Sequence, residues 1–356
     1  MADLNLGFVP LTDAAPLIVA AEKGFFRDLG LEVTLVREQA WASVRDKLVH
    51  GLLDAAQALA PMPLAMTLGL DQPAVAMRAP LVLSLNGNGI TVAPAVHAAL
   101  VAADAATAPQ ALSARGLRPL AAARRRAGER ALTFAVVFPW SCHRYQLRRW
   151  LAQGGVDPDR DVEITVVPPP RVADALAAGH IDGFCAGEPW NRRAVRDGAG
   201  RLATTGFELR ADAMEKVLAL RADRADGDEP ALTLLLRGLL RAGAWLADLE
   251  NRLEAAHILA RDDYLAQPAG MIAPSLLGLV ADGAHATPRH VPRMHVFADA
   301  RHAWPRRAEV ETLLAAMGEA GDIAAAPQDL AAGVFDPAAL RRALRAEGLD
   351  PPRDDG

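Results

Sequence analysis

Several sets of residues in this chain have types and spacing that bear on chemistry. Cys142 stands directly before His143, a thiol beside a base, but no acid is placed to orient the histidine as a nucleophilic dyad requires. Cys142 therefore reads as a small packing residue. Glu188, in Gly187-Glu188-Pro189-Trp190, has the position of an acid catalyst, and reads better as an acceptor for backbone or for a neighbour such as Arg144. His285, His290, His295 and His302 follow one another irregularly, unlike the ligands of a zinc site, so no metal is expected. Arg124-Arg125-Arg126 fits a solvated helix face better than a nucleic-acid contact.

The most informative pattern lies in the backbone of residues 162–191. Val162-Glu163-Ile164-Thr165-Val166-Val167 alternates as a strand does, and the prolines Pro168, Pro169 and Pro170 end it, because the residue before a proline is driven out of the α region. Val172, Ala175 and Leu176 recur at helical spacing up to Gly179, a helix-ending glycine. Ile181 to Phe184 reads as a second strand, and Pro189 suits the first turn of a further helix. Helix N-termini that begin just beyond strand C-termini form an edge that favours anions.

The elements needed to hold such an edge run through the chain. Strands are expected at Leu4–Val9, Leu31–Val36, Asp54–Leu59, Val75–Leu85 with a break at Pro80, and Ile90–Val92. Thr12 or Asp13 is expected to cap a helix from Ala15 to Lys23, and another helix spans Trp41–Leu53. Residues 96–130, rich in alanine and arginine, favour helix. Strands follow at Leu132–Val137, Leu202–Phe207 and Val217–Leu220, and Leu232, Leu235, Leu236, Leu239 and Leu240 form one apolar helix face that reads as core. The expected fold is α/β: a bilobed clamshell with residues 1–94 and 206–356 in one lobe, 95–205 in the other, two hinge crossings and a cleft between the lobes.

With 356 residues, 51% of them hydrophobic and 5% aromatic, the chain is long enough for two cores. Its net charge of −5 gives no reason to expect direct nucleic-acid or anionic-membrane binding. No apolar run has the length of a membrane span. Met1-Ala2-Asp3-Leu4-Asn5 leads into a strand without a basic segment and an apolar h-region, so a cytoplasmic location is expected. Two cysteines, Cys142 and Cys185, do not make a disulfide framework.

Motifs spread over most of the chain resemble the nitrate- and bicarbonate-binding group of the periplasmic-type (type II) solute-binding proteins of ABC transporters. They are GFVPLTDAAPLIVAAEKGFF at 7–26, WASVRDKL at 41–48, APMPLAMTLG at 60–69, LNGNGITV at 85–92, VVPPP at 166–170, DGFCAGEPWN at 182–191 and AWPRRAEVETLLAAM at 303–317. More narrowly, the set is similar to the NasS-type cytoplasmic nitrate/nitrite sensors. The resemblance implies an anion held by Trp41, Asn88, His143 and Lys216, with backbone near Pro169 and Ala186 on the ligand wall. It places Trp41 and Asn88 in the first lobe, His143 in the second and Lys216 near the return crossing. The family relatives carry glutamine at the place of Asn88, so this amide reaches one methylene less and a bridging water is an alternative to direct contact. On residue type alone, Trp41 is a core or helix-start aromatic, His143 a helix-N-terminal histidine and Lys216 a surface lysine.

Nitrate has three oxygens that only accept hydrogen bonds and carries one negative charge, so it needs convergent donors and about one positive charge. In the mapped set Lys216 supplies the charge, and its replacement by alanine is expected to erase nitrate binding while leaving the empty protein folded. The bicarbonate branch of the family lacks that lysine, which favours nitrate or nitrite here. No cofactor and no enzymatic activity are implied; pyrimidine-precursor synthases of the same fold depend on a cysteine, histidine and lysine pattern absent from this chain. The implied role is a sensor that, when ligand-free, holds an ANTAR-type RNA-binding antitermination regulator (NasT-like) and releases it on anion binding, controlling nitrate-assimilation genes. The alternative is the binding receptor of an ABC nitrate transporter, or less favourably a bicarbonate transporter.

Overall fold

The computed structural model describes residues 2–105, 110–285 and 287–352, and the chain divides into two compact units. The first comprises Met1–Leu85, Ala213–Ala269 and His295–Gly356, the second Asn86–Asp212 and Gly270–Met294. In chain order the strands are β1 (Ala2–Phe8), β2 (Leu31–Arg37), β3 (Ala55–Leu59), β4 (Met77–Asn86), β5 (Asn88–Val92), β6 (Leu132–Val136) and β7 (Val162–Val166). They continue with β8 (Gly183–Gly187), β9 (Arg201–Thr205), β10 (Met214–Arg221), β11 (Leu279–Val280), β12 (Arg289–His290) and β13 (His295–Phe297).

The first unit is built on a six-stranded sheet in the order β13-β4-β10-β3-β1-β2. β1 runs parallel to β2 and β3, while β10 is antiparallel to both β3 and β4. A strand flanked on both sides and covered on both faces reads as a continuous apolar run. β10 does so from Val217 to Leu220, all of it buried. The exceptions, Glu215 and Lys216, are buried as well. Leu232, Leu235, Leu236, Leu239 and Leu240 are buried along the helix Glu229–Ala247, as their spacing predicts. That helix packs against the helices Ala15–Glu22 and Ala338–Ala346.

Pro80 does not break β4, which continues from Met77 to Asn86. The ladder with β10 slips between Leu218↔Leu81 and Leu220↔Arg78. Pro80 falls in that irregularity, where its missing N–H costs no ladder bond.

The second unit holds a five-stranded mixed sheet, β7-β6-β8-β5-β9. β6 is parallel to β7 and β8, and β5 is antiparallel to β8 and β9. Its core gathers Val92, Leu100, Leu117, Phe134, Leu147, Trp150 and Leu151, with the Trp150 indole donating to the Leu112 carbonyl at 2.8 Å. Residues 86–94 and 206–212, expected in the first lobe, belong to this unit, because β5 is a central strand of its sheet. Residues 270–294 join it too, where Val280, Val291 and Met294 cluster with Leu202.

The helical stretch at 96–130 forms two helices, Pro94–Asp104 and Leu117–Ala127; residues 106–109 within it lie outside the described residues. Arg124 and Arg125 occupy the last turn of the second helix, where positive charge is favoured. They are paired rather than merely solvated, Arg124 with Asp182 at 3.0 Å and Arg125 with Asp161 at 3.1 Å. Among the described residues no helix is long and apolar enough to cross a membrane.

Gly243 marks the tightest approach in the first unit. A Cβ there would sit 1.8 Å from the Ala298 carbonyl oxygen, closer than any contact permits. Gly243→Ala must push the helix Glu229–Ala247 away from the segment after β13, and overpacking of this kind costs about 3 kcal/mol. Urea unfolding should show that loss as a lowered midpoint at unchanged slope; an unchanged midpoint would contradict the packing.

Candidate functional site

The first unit places two of the mapped residues together. Trp41 opens the helix Trp41–Val49 just after β2, and Lys216 lies on β10. The Lys216 ammonium is 5.7 Å from the centroid of the Trp41 ring, within range of a cation–π interaction. Both side chains are wholly buried. The Trp41 indole N–H has no hydrogen-bond partner among the described residues.

Lys216 is therefore no surface lysine, and its surroundings explain how a charge survives there. In a regular strand, neighbouring residues point to opposite faces. Here the ladder between β10 and β4 slips on either side of Lys216, which faces Ser84, and the irregularity lets Glu215 and Lys216 meet. The Lys216 Nζ donates to Glu215 Oε1 at 2.9 Å. It also lies 2.8 Å from Asp13 Oδ2, but off the line of a hydrogen bond. Burial works against the ammonium, and the carboxylates of Asp13 and Glu215 outweigh it, holding Lys216 above the ordinary lysine range.

Asp13 serves a purpose other than the helix cap its position predicts. Thr12–Ala14 forms a 3-10 turn, and the helix Ala15–Glu22 begins after Ala14 with no side-chain cap. Asp13 Oδ1 accepts from Gln57 Nε2 at 2.6 Å, and Gln57 Oε1 accepts the Val9 N–H at 3.2 Å. The lysine is thus held by two carboxylates, one of them fixed by β3. Lys216→Ala would strand two buried carboxylates, a loss of about 3–5 kcal/mol, so the expectation of an undisturbed empty protein is withdrawn.

Sequence reasoning missed the other polar groups here. Thr12 Oγ1, Ser84 Oγ and both ring nitrogens of His295 are buried without partners among the described residues. Burial, then the charges of Arg252 and Lys216, push the His295 pKa down to about 3, so the ring is neutral at ordinary pH. It stacks on Phe297 at 5.7 Å. No periodicity separates a buried polar residue of this kind from its neighbours, so only the fold exposes it.

The second unit carries the remaining mapped residues. His143 is buried in the first turn of the helix Cys142–Gln153, which follows β6. Its N-cap is Ser141, whose Oγ accepts from the Arg144 N–H at 3.1 Å and donates to the Phe138 carbonyl at 2.6 Å. Pro169 starts the 3-10 turn Pro169–Arg171 after β7, and Ala186 lies near the end of β8. The C-terminal ends of three parallel strands thus bring His143, Pro169 and Ala186 to one sheet edge.

Asn88 is in this unit, not in the first. It pairs with Gly187 across β5 and β8, next to the Gly89–Ala186 pair. Its Nδ2 donates to Gln146 Oε1 at 3.0 Å, and its Oδ1 is buried without a partner among the described residues. Gln146 lies one turn beyond His143, so a long amide from the helix meets the short amide on the strand. Gln146 is a further residue of the site that its place in the chain does not disclose.

Glu188 accepts the Arg192 N–H at 3.1 Å, a backbone bond as expected, and Asn191 Nδ2 donates to the Ala186 carbonyl at 2.8 Å. Burial pushes the Glu188 pKa up to about 7. His285 and His302 pair with Asp282 and Asp299, each at 2.7 Å. Cys142 and Cys185 are buried, and neither forms a disulfide among the described residues.

Comparison with known proteins places this geometry. The profile of the NMT1-like family matches residues 1–260. The chain is 36% identical over 283 residues to the nitrate/nitrite binding protein NrtA of Synechococcus elongatus, covering 77% of this chain and 62% of the relative. It is 33% identical over 287 residues to the bicarbonate-binding protein CmpA of the same organism, covering 79% and 62%. It spans 38 to 62% of the lengths of the curated relatives it matches. The crystal structure of the periplasmic nitrate-binding protein NrtA from Synechocystis PCC 6803 superposes with a TM-score of 0.88 at 29% identity, covering 97% of this chain and 89% of that one. The α/β fold with two mixed sheets is thus that of periplasmic-binding-protein-like chains.

The raised pKa of Glu188 has a stability consequence of fixed sign. Between about 4.5 and 7 the unfolded carboxylate is ionised while the folded one keeps its proton, so stability falls as pH rises through that window and levels off above it. Glu188→Gln should remove the slope, matching the wild type at pH 4.5 and exceeding it by about 3 kcal/mol at pH 8. Denaturant titrations at the two pH values read the difference, and parallel curves for both proteins would contradict the burial cost.

Proposed function

The chain belongs to the NMT1-like family, and from that premise we propose that it binds nitrate or nitrite. It is a solute-binding-type protein rather than an enzyme, homologous to NrtA and CmpA. One observation carries the ligand reading: a buried ammonium, Lys216, beside a buried indole N–H, Trp41, that no described residue satisfies. An orphan donor next to a positive charge is what a small acceptor-only anion requires. In the second unit His143, Asn88 and the backbone near Pro169 and Ala186 are proposed as the further ligand contacts. The presence of Lys216 favours nitrate or nitrite over bicarbonate, although a bicarbonate-binding relative matches at comparable identity.

The proposed role is that of a cytoplasmic sensor. Without ligand it sequesters an ANTAR-type, NasT-like antitermination regulator, and anion binding releases that partner. The motif set similar to the NasS-type sensors supports this role over the alternative, a receptor delivering its anion to an ABC transporter. The mechanism requires that anion and regulator prefer different states of the protein, each weakening the other's binding by the same factor.

A melting-temperature screen with nitrate, nitrite, bicarbonate, chloride and a sulfonate tests the ligand. Nitrate or nitrite at about 100 times its dissociation constant should add roughly 2.7 kcal/mol; a response to bicarbonate alone would overturn the reading. Trp41→Phe keeps the ring and removes only the indole N–H. It should weaken nitrate binding roughly ten- to a hundred-fold, the worth of a hydrogen bond to a charged group, and leave the empty protein near its original stability. The sensor role is tested by the mass of the purified complex with an ANTAR-type regulator across a nitrate titration, which should fall to that of the separate proteins; an unchanged mass would leave the transport receptor as the better reading.

A further inference from the structure

β4 carries an apolar run from Leu81 to Leu85 with a single interruption, Ser84. The strand lies between β13 and β10 in the six-stranded sheet, and every residue of the run is buried. A hydroxyl taken out of water in such a place destabilises the protein unless it finds a partner. Ser84 Oγ is buried and has no hydrogen-bond partner among the described residues. A need for a small side chain does not account for it, since alanine is as small and buries no polar atom. What serine adds is the hydroxyl.

The strand register fixes what that hydroxyl stands beside. Ser84 and Lys216 are paired across β4 and β10, and the ladder is irregular on either side of Lys216. Residues directly opposite one another in an antiparallel pair project to the same face, with Cβ atoms about 5 Å apart. Ser84 therefore stands on the Lys216 side of the sheet. The other parts of the site collect at the same edge. β1 runs parallel to β2 and β3, and β4 runs with them because both β3 and β4 are antiparallel to β10. Thr12 follows the C-terminal end of β1 and Trp41 that of β2, while Ser84 is two residues from that of β4. Lys216 is the third residue of β10, which enters the sheet from this edge. Open α/β sheets bind ligands there. Thr12 Oγ1 and the His295 ring nitrogens also lack described partners. Thr12 belongs to a 3-10 turn and His295 stacks on Phe297; of the three residues, Ser84 is the one paired in register with Lys216.

We propose that Ser84 is a ligand residue whose Oγ–H donates to an oxygen of the anion held at Lys216 and Trp41. A serine hydroxyl turns about its Cβ–Oγ bond to suit its acceptor, so the proton can be aimed at the anion without moving the strand. The first unit then presents three donors from three elements: the ammonium on β10, the indole N–H at the start of the helix Trp41–Val49, and the hydroxyl on β4. The inference rests on the reading of nitrate or nitrite as the ligand.

Calorimetric titration of the full chain with nitrate and with nitrite, wild type against Ser84→Ala, measures the contact. Ser84→Ala should weaken binding roughly ten- to a hundred-fold, the worth of a hydrogen bond to a charged group. Without nitrate or nitrite, the variant should melt at or above the wild-type temperature, because a buried hydroxyl lacking a partner has been removed. Clear binding by the wild type with unchanged affinity in Ser84→Ala would overturn the inference and leave the ligand reading standing. Weakened binding together with a lower melting temperature of the empty variant would show that the hydroxyl serves the fold, and would overturn it too. A wild type that binds neither nitrate nor nitrite would instead sink the ligand reading.

Discussion

A single ammonium buried between two carboxylates sets the terms for the first unit. Lys216 could not remain charged in the middle of a six-stranded sheet without Asp13 and Glu215 beside it. To bring them together the sheet gives up regularity: β10 slips its register against β4 at Lys216, and Asp13 leaves the helix N-terminus to meet Gln57 on β3. Such irregularity in an otherwise apolar sheet is a local conflict of the kind that marks functional sites. Trp41, the first residue of its helix, lays its ring over the same ammonium.

The second unit solves a different problem with ordinary parts. Its three parallel strands end at one edge, where the residues the anion reading uses stand: His143 after β6, Pro169 after β7 and Ala186 near the end of β8. The helix that carries His143 starts on a serine cap, so the first turn is fixed before any ligand arrives. Gln146 on that helix ties down Asn88 on β5, which trades reach for rigidity.

Most of the architecture was legible in the chain because strands and helices differ in period. Alternation found β1, β2, β6 and β7, and the leucine spacing at 232–240 found the long core helix. The motif set reached further, to the family and to a lysine that composition alone would leave on the surface. What stayed hidden has a common cause: pairing between residues distant in sequence. Asn88 was assigned to the wrong unit because a strand's sheet partners are not written in its own residues. Asp13 passed for a helix cap because a carboxylate before a helix usually is one, and its true partners, Gln57 and Lys216, lie far along the chain. His295 was set aside with three other histidines on spacing grounds, although its neutral, buried ring stands beside the charged site.

The claim on which the rest depends is that the anion is held at the Lys216 ammonium and the Trp41 indole. A crystal structure of the protein grown with nitrate tests it most directly. The account predicts a planar anion with one oxygen within hydrogen-bond distance of Lys216 Nζ and another oxygen at Trp41 Nε1. Nitrate bound elsewhere, with Lys216 still contacting only Asp13 and Glu215 and the Trp41 N–H left without a partner, would contradict it.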